Sequence, residues 1–295
     1  MPKAQANNIE IFYDTFGDPS SQPLLLIMGL GSQMIRWVSE LCEEFVKKGF
    51  FVIRYDNRDV GLSTKFENAE VPDIIKVYQK AINREKVDAP YLLSDMADDA
   101  IGLLDFLKIE KAHICGVSMG GMIAQTIVIN HPSRVLSLTS IMSTTGNPDL
   151  PRPTPKAMKV LLTPAPSGRE ENIEASLKAW RILWGSGYEF NETIQREIAA
   201  QNYDRCYYPD GFKRQLLAVI ASGDRTSQLA SINIPALIIH GSEDPLVPVE
   251  GGRATAKVIP GAELLIIDGM GHSLPPEIWP QVIEAISKNA SKAYQ

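Results

Sequence analysis

The sequence predicts an α/β protein: a mostly parallel central sheet with helices on both faces, interrupted once by an all-helical insertion. Three observations predict it. Short apolar runs alternate with helix-like patterns through the first half of the chain, the signature of strands joined by crossover helices. Residues 146–228 then carry helix-like stretches with no strand-like run among them, and after that the strand and helix rhythm resumes. The expected organisation is therefore residues 1–145 as the first part of the core, 146–228 as the helical insertion, and 229–295 as the second part of the core.

Taken in order, residues 9–16 alternate as an outer strand. Residues 23–28 form a continuous apolar run that ends in Gly29, Leu30 and Gly31, and residues 50–55 repeat the pattern before Asp56, Asn57 and Arg58. Runs of this kind belong to strands buried on both faces. Between them Met34, Trp37, Val38, Leu41, Phe45 and Val46 recur at helical spacing and Gly49 sits where a helix would stop, so one helix is expected there. Met96, Ala97, Ala100, Ile101, Leu103, Leu104 and Leu107 mark another, capped by Ser94 or Asp95, with Asp98 and Asp99 in first turns that the helix dipole makes favourable for acids. A strand over 112–117 and a helix over 122–130 follow. Residues 146–155 contain four prolines, and beyond them three helices are expected around 173–183, 192–200 and 211–221. Strands at 236–240 and 263–267 and a helix over 276–287 complete the chain.

Composition narrows the functional classes. A chain of 295 residues with 44% hydrophobic and 22% charged residues can bury a large core, and it does not resemble disordered or fibrous sequences. Its 29 Lys and Arg against 35 Asp and Glu leave a net charge of −6, and no segment gathers the basic stripe that a phosphate backbone requires. Nucleic acid is not an expected partner. Residues 1–8 are polar and the apolar runs are far shorter than a membrane span, so a cytoplasmic protein that stays off the membrane is expected. Cys42, Cys115 and Cys206 are too few and too scattered for a disulfide framework, and Cys115 reads as a buried packing residue.

The segment Cys115-Gly116-Val117-Ser118-Met119-Gly120-Gly121 places G-x-S-x-G at a strand-to-helix turn. So sharp a turn holds the serine in a strained conformation, and Gly116 and Gly120 leave room that side chains would fill. A hydroxyl becomes a nucleophile only when a base takes its proton and a carboxylate orients that base. Of the four histidines, His113 and His240 fall inside strands and His131 begins a helix end, which leaves His272 in the loop after the last strand. The acid is expected at the end of another strand, between serine and histidine in chain order. Asp244 ranks first, Glu243 second, and Asp268 third because it shares the histidine's own loop.

An acyl-transfer transition state develops a negative oxygen that needs preorganised N–H donors, worth roughly 3 kcal/mol each. Met119 is expected to supply one, and Leu30 the other, with Gly29 and Gly31 as its neighbours in the same loop. Gly29 and Met34, and in the insertion Trp180, Trp184 and Tyr203, are the expected substrate-contacting residues. Leu183, Tyr207 and Tyr208 are further candidates for an apolar pocket. The charged segment at Asp56, Arg58 and Asp59 reads as a hydrogen-bonded loop at the edge of the site.

These motifs in this order resemble the α/β-hydrolase superfamily: Met-Gly-Leu-Gly at 28–31, Arg-Tyr-Asp-Asn-Arg-Asp-x-Gly-x-Ser at 54–63, Gly-Val-Ser-Met-Gly-Gly at 116–121, Gly-Ser-Glu-Asp-Pro at 241–245 and Gly-Met-Gly-His at 269–272. Within it the chain is similar to the carboxylesterase branch that includes the aclacinomycin methylesterases. The resemblance implies the α/β-hydrolase fold, Ser118, Asp244 and His272 as a triad, and a helical cap over the site. Many members of the superfamily have His-Gly where this chain has Met28 and Gly29.

The expected activity is hydrolysis of carboxylic esters of small apolar substrates through an acyl-enzyme. The same triad also serves lactones and cofactor-free perhydrolysis, and some members of the superfamily keep it while acting as small-molecule receptors. Serine at the elbow argues against the branches that attack through an aspartate. The strand, Gly29-Leu-Gly31 and helix imitate a dinucleotide-binding unit, but Met34 stands where the third glycine belongs. No metal-ligand spacing such as H-E-x-x-H occurs, so neither a metal nor an organic cofactor is expected.

Overall fold

Among the described residues eight strands make one sheet: β1 (Lys3–Ala6), β2 (Ile9–Phe16), β3 (Gln22–Ile27), β4 (Phe50–Tyr55), β5 (Ala112–Val117), β6 (Val135–Ile141), β7 (Ala236–Gly241) and β8 (Glu263–Ile267). Their order is β1-β2-β4-β3-β5-β6-β7-β8. The β1–β2 and β2–β4 pairings are antiparallel, and every later pairing is parallel. The computed structural model describes all residues except Met1, Pro72 and Gln295. The predicted outer strand, β2, lies one place in from the edge. β1 covers it, and its Lys-Ala-Gln-Ala sequence has too little apolar surface to announce a strand.

The helices of the core are α1 (Ser39–Lys47), α2 (Ile74–Ile82), α3 (Leu93–Phe106), α4 (Met119–Asn130), α10 (Val249–Val258) and α11 (Trp279–Ser291). Successive strand side chains point to opposite faces, and that period decides which helices each residue meets. Leu25, Ile27, Ile53 and Ile114 pack with Leu103 and Ile123 of α3 and α4. Leu24, Leu26, Val52 and Cys115 pack with Phe45 of α1 and Ile283 of α11. The Cys115 thiol is fully enclosed in that second layer, and burial pushes its pKa up.

Two helix starts differ from expectation. The single helix expected across residues 34–46 is broken into one 3₁₀ turn, Met34–Arg36, and α1. Trp37 and Val38 leave helical geometry, and the Arg54 guanidinium takes the Trp37 carbonyl that a continuous helix would have used internally. α3 begins at Leu93, and Asp95 reaches back to the N–H of Leu92 at 2.7 Å instead of standing at the cap. Asp99 is not a dipole partner but a buried ion-pair partner of Arg58, with both contacts at 2.7 Å. α2 has no counterpart in the sequence reading, although Asp73 caps it by accepting from Ile75 and Lys76.

Between β6 and β7 the described residues form helices only: α5 (Pro155–Leu162), α6 (Arg169–Leu183), α7 (Glu192–Arg205), α8 (Pro209–Ser222) and α9 (Thr226–Leu229). Two more helices stand here than the three expected. α5 hides in the proline-rich stretch because Pro155 occupies its first position, where an N–H would have no partner, and Thr154 caps it through Ala157 at 3.3 Å. No described helix is long and apolar enough to cross a membrane.

His113 lies inside β5, 1% exposed, with Nδ1 2.8 Å from Ser137 Oγ and its ring edge-on to Phe50. Burial pushes its pKa down to about 4. Between pH 6.5 and 4 the unfolded chain therefore takes up a proton that the native side chain refuses. Stability that is fully present above about 6.5 is lost on acidification, by on the order of 3 kcal/mol. Urea unfolding at pH 7 and pH 4.5 is expected to show a larger loss for the wild type than for His113→Phe. Equal losses would show that this imidazole does not set the acid sensitivity.

Candidate active site

Ser118 follows β5 and precedes α4 with φ 55° and ψ −121°, a conformation that costs a non-glycine residue about 1–3 kcal/mol. The crossing is possible because its neighbours have no side chains. A methyl group at Gly116 would lie 2.0 Å from the Gly120 carbonyl oxygen, and one at Gly120 would lie 2.2 Å from that of Ile27. The Ser118 N–H bonds the Ile141 carbonyl at 2.8 Å, and its own carbonyl accepts from Gly121 and Met122, which locks the turn. The N-terminus of α4 then points its positive end toward the serine.

His272 stands in the loop after β8, with Nε2 2.9 Å from Ser118 Oγ and Nδ1 2.6 Å from Asp244 Oδ2. Asp244 sits after β7, and its Oδ1 accepts from the Leu246 and Val247 N–H groups, each at 2.9 Å. Burial alone would raise this carboxyl. The facing His272 and the hydrogen bonds from His240 and His272 outweigh it and hold the pKa at about 2. An ionised carboxylate only accepts, so Nδ1 of His272 carries the proton in the neutral ring and Nε2 faces the Ser118 hydroxyl as an acceptor.

The inserted helices hold the histidine loop from above. The N–H groups of His272 and Gly271 donate to the Leu183 and Trp184 carbonyls at 2.6 and 3.0 Å, and Ser273 Oγ donates to Trp184 at 3.2 Å. These carbonyls end α6 and would otherwise have no partner within the helix. The approach is close: a methyl at Gly271 would lie 2.2 Å from the Leu183 oxygen, and one at Gly185 2.4 Å from that of Gly269.

Ser118 and His272 open onto a cavity of about 750 Å³ between the sheet and the inserted helices, lined by groups such as Met28, Leu41, Trp180, Leu183, Trp184 and Phe212. Among the described residues no group of three His, Cys, Asp or Glu is placed to hold a metal ion.

A family model described as the alpha/beta hydrolase fold matches residues 22–277. The chain belongs to the α/β-hydrolase family. It is similar to the rhodomycin D methylesterase DauP of Streptomyces sp. (strain C5), at 29% identity covering 97% of each chain. It is also similar to 3-oxoadipate enol-lactonase 2 of Acinetobacter baylyi, at 24% identity covering 96% of this chain and 95% of that one. Among solved structures, the meta-cleavage product hydrolase of Pseudomonas fluorescens IP01 superposes with a TM-score of 0.77 at 22% identity, covering 99% and 98% of the two chains.

In this α/β hydrolase the predicted residues separate into those at the site and those away from it. Ser118, His272, Leu30, Gly29, Trp180 and Trp184 line the cavity, and Asp244 lies directly behind His272. Leu30 and Met119 N–H have no hydrogen-bond acceptor among the described residues, whereas Gly31 N–H is taken by Gln215 Oε1 at 2.8 Å. Glu243 is committed to Ser186, whose N–H and hydroxyl it accepts at 2.7 and 2.8 Å. Asp268 accepts from Ser242, which in turn braces Gly269.

Two expected substrate contacts are corrected. Met34 is fully buried under the site and does not line the cavity, and its N–H serves Asp56 Oδ1 at 2.8 Å. Tyr203 does not line the cavity; it donates to the Ser167 carbonyl at 2.6 Å and packs at a tilt against Tyr207. Helical spacing identifies an apolar or aromatic stripe but not which side of an inserted helix it serves. Arg36 and Gln195 line the cavity and went unread. The interruption of the apolar pattern by Arg36 was the only signal for it.

Proposed function

We propose that this α/β hydrolase cleaves carboxylic esters of small, largely apolar substrates through an acyl-enzyme, with residues 146–228 acting as the cap that closes the site. One observation carries the reading: the hydrogen-bonded series from Ser118 Oγ through His272 to Asp244, opening onto an apolar cavity. His272 Nε2 takes the Ser118 proton as Oγ attacks the carbonyl carbon. The oxyanion sits on the Leu30 and Met119 N–H groups, and the alcohol leaves with the proton from Nε2. Water then adds to the acyl carbon by the same route, releasing acid and free serine. Asp244 keeps the ring in one tautomer throughout. The methylesterase relative supports this choice of bond. The unpaired Cys42, Cys115 and Cys206 suit a cytoplasmic enzyme.

A serine-directed fluorophosphonate is expected to label the peptide containing Ser118, and turnover of p-nitrophenyl acetate should fall in proportion to labelling. Full activity in fully labelled protein, or label on another serine, overturns the reading. The enol-lactonase relative supports lactones as a second substrate class. In that case the leaving alcohol stays tethered to the acyl group, and a pH-stat assay with γ- and δ-lactones tests it directly.

A further inference from the structure

Arg36 ends the 3₁₀ turn Met34–Arg36 and lines the cavity half-buried, with its guanidinium 3.9 Å from the centre of the Trp180 ring. The turn that carries it is tied down on several sides. Met34 N–H bonds Asp56, Arg36 N–H bonds the Gln33 carbonyl at 3.1 Å, and Arg54 holds the Trp37 carbonyl. Gln33 Nε2 reaches the Asn202 and Cys206 carbonyls at 2.6 and 3.0 Å. The guanidinium, by contrast, has no hydrogen-bond acceptor and no carboxylate within 4.0 Å among the described residues. Burial lowers its pKa to about 10, so it stays charged at neutral pH.

A guanidinium has five N–H donors in a planar fork, and here they face the cavity, where water or a ligand supplies the acceptors that the protein does not. Gln195 of α7, 7% exposed, lines the same cavity with its Oε1 unpartnered. Oε1 can only accept, so toward an anionic ligand it is the Nε2 of the same amide that donates. Glu40, Glu189, Glu197 and Glu277 also line the cavity, but all four are exposed, where water and salt screen them.

We propose that Arg36, stacked on Trp180 and assisted by Gln195, binds a carboxylate carried by the substrate at a distance from its scissile ester, so that the preferred substrates are carboxylate-bearing esters such as half-esters of dicarboxylic acids. This rests on the ester-hydrolase reading above. A carboxylate presents two oxygens in the geometry that the fork accepts, and charge-assisted pairs are roughly twice as strong as neutral ones.

The test compares isosteric substrates in two series. With the carboxylate on the acyl side, mono-p-nitrophenyl glutarate and adipate are set against the p-nitrophenyl esters of the matching monoamides. With it on the alcohol side, 4-acetoxybenzoate is set against 4-acetoxybenzamide. In at least one series the wild type is expected to favour the carboxylate in kcat/KM by about 10- to 100-fold. In Arg36→Met that ratio should fall to about one, and in Arg36→Lys, which keeps charge without the fork, it should be intermediate. Neutral substrates hydrolysed as fast in both series, or a ratio that survives in Arg36→Met, overturn the inference while leaving ester hydrolysis intact. Calorimetric titration of Ser118→Ala with monomethyl adipate and with 4-acetoxybenzoate gives a readout independent of turnover. At least one should bind, and its binding should weaken by the same factor in Ser118→Ala with Arg36→Met. Equal binding by the two proteins rejects the role of Arg36 even if no ester is turned over.

Discussion

His272→Ala is expected to lower kcat on a p-nitrophenyl ester by about 10⁵- to 10⁶-fold, and adding Ser118→Ala to that variant is expected to lower it little further. The reason lies in the single proton that the two residues share. Nε2 of His272 is 2.9 Å from Ser118 Oγ, and no other base stands within hydrogen-bonding reach of that hydroxyl among the described residues. Without the imidazole the serine is an ordinary alcohol, and without the serine the imidazole has no nucleophile to activate. Asp244→Asn should cost somewhat less, about 10⁴-fold, because an amide facing Nδ1 favours the wrong tautomer without removing either reacting group. Steady-state kinetics on the single and double variants checks this. Additive losses in the double variant would mean that the two side chains act in separate steps, and the series at the site would lose its meaning.

Arg214→Met is expected to destabilise the protein by about 3–5 kcal/mol, lowering Tm by on the order of 10 °C. Arg214 of α8 and Asp59 of the loop after β4 are 1% and 0% exposed in their side chains, and they meet through two contacts of 2.9 Å. Asp59 also accepts from Phe66 N–H at 2.8 Å and Tyr91 Oη at 2.7 Å, so its carboxylate is fully used. Removing the guanidinium strands a buried negative charge. Asp59→Asn together with Arg214→Met should therefore be more stable than Arg214→Met alone. Thermal melts of the single and double variants decide it, and a loss under 1 kcal/mol in the single variant would show that the pair is not what fastens α8 to the core.

The same pair shows what the sequence could and could not disclose. The elbow at Ser118 was readable because its requirements are local: Gly116, Ser118 and Gly120 fall within five residues, at the junction of a strand and the helix that follows it. Strands β3, β4 and β5 were readable because burial on both faces leaves mostly apolar runs, with Arg54 in β4 and His113 in β5 as the charged or polar exceptions at their buried positions. Asp56 and Asp59 were correctly seen as hydrogen-bonded loop residues, but their partners, Arg205 and Arg214, lie 149 and 155 positions away on α7 and α8. Nothing in a charge pattern reveals a partner at that separation. Arg36 was missed for the complementary reason: its distinction is the lack of an acceptor, and a missing partner becomes visible only once every neighbour has been placed.

The meeting of α6 with the histidine loop bears on how such a fold can diversify. Because the last carbonyls of α6 hold the backbone of Gly271 and His272, and Gly185 and Gly271 leave no room between the two segments, the insertion is not an interchangeable attachment. A chimera that receives residues 146–228 from a relative would inherit a new pocket and lose the brace of its own base, unless the donor brings glycines and helix length that match the recipient's loop. Recombination within this family should therefore succeed where the crossover carries the α6 end and the histidine loop from one parent. Substrate range and catalytic competence would then be transmitted as one heritable unit.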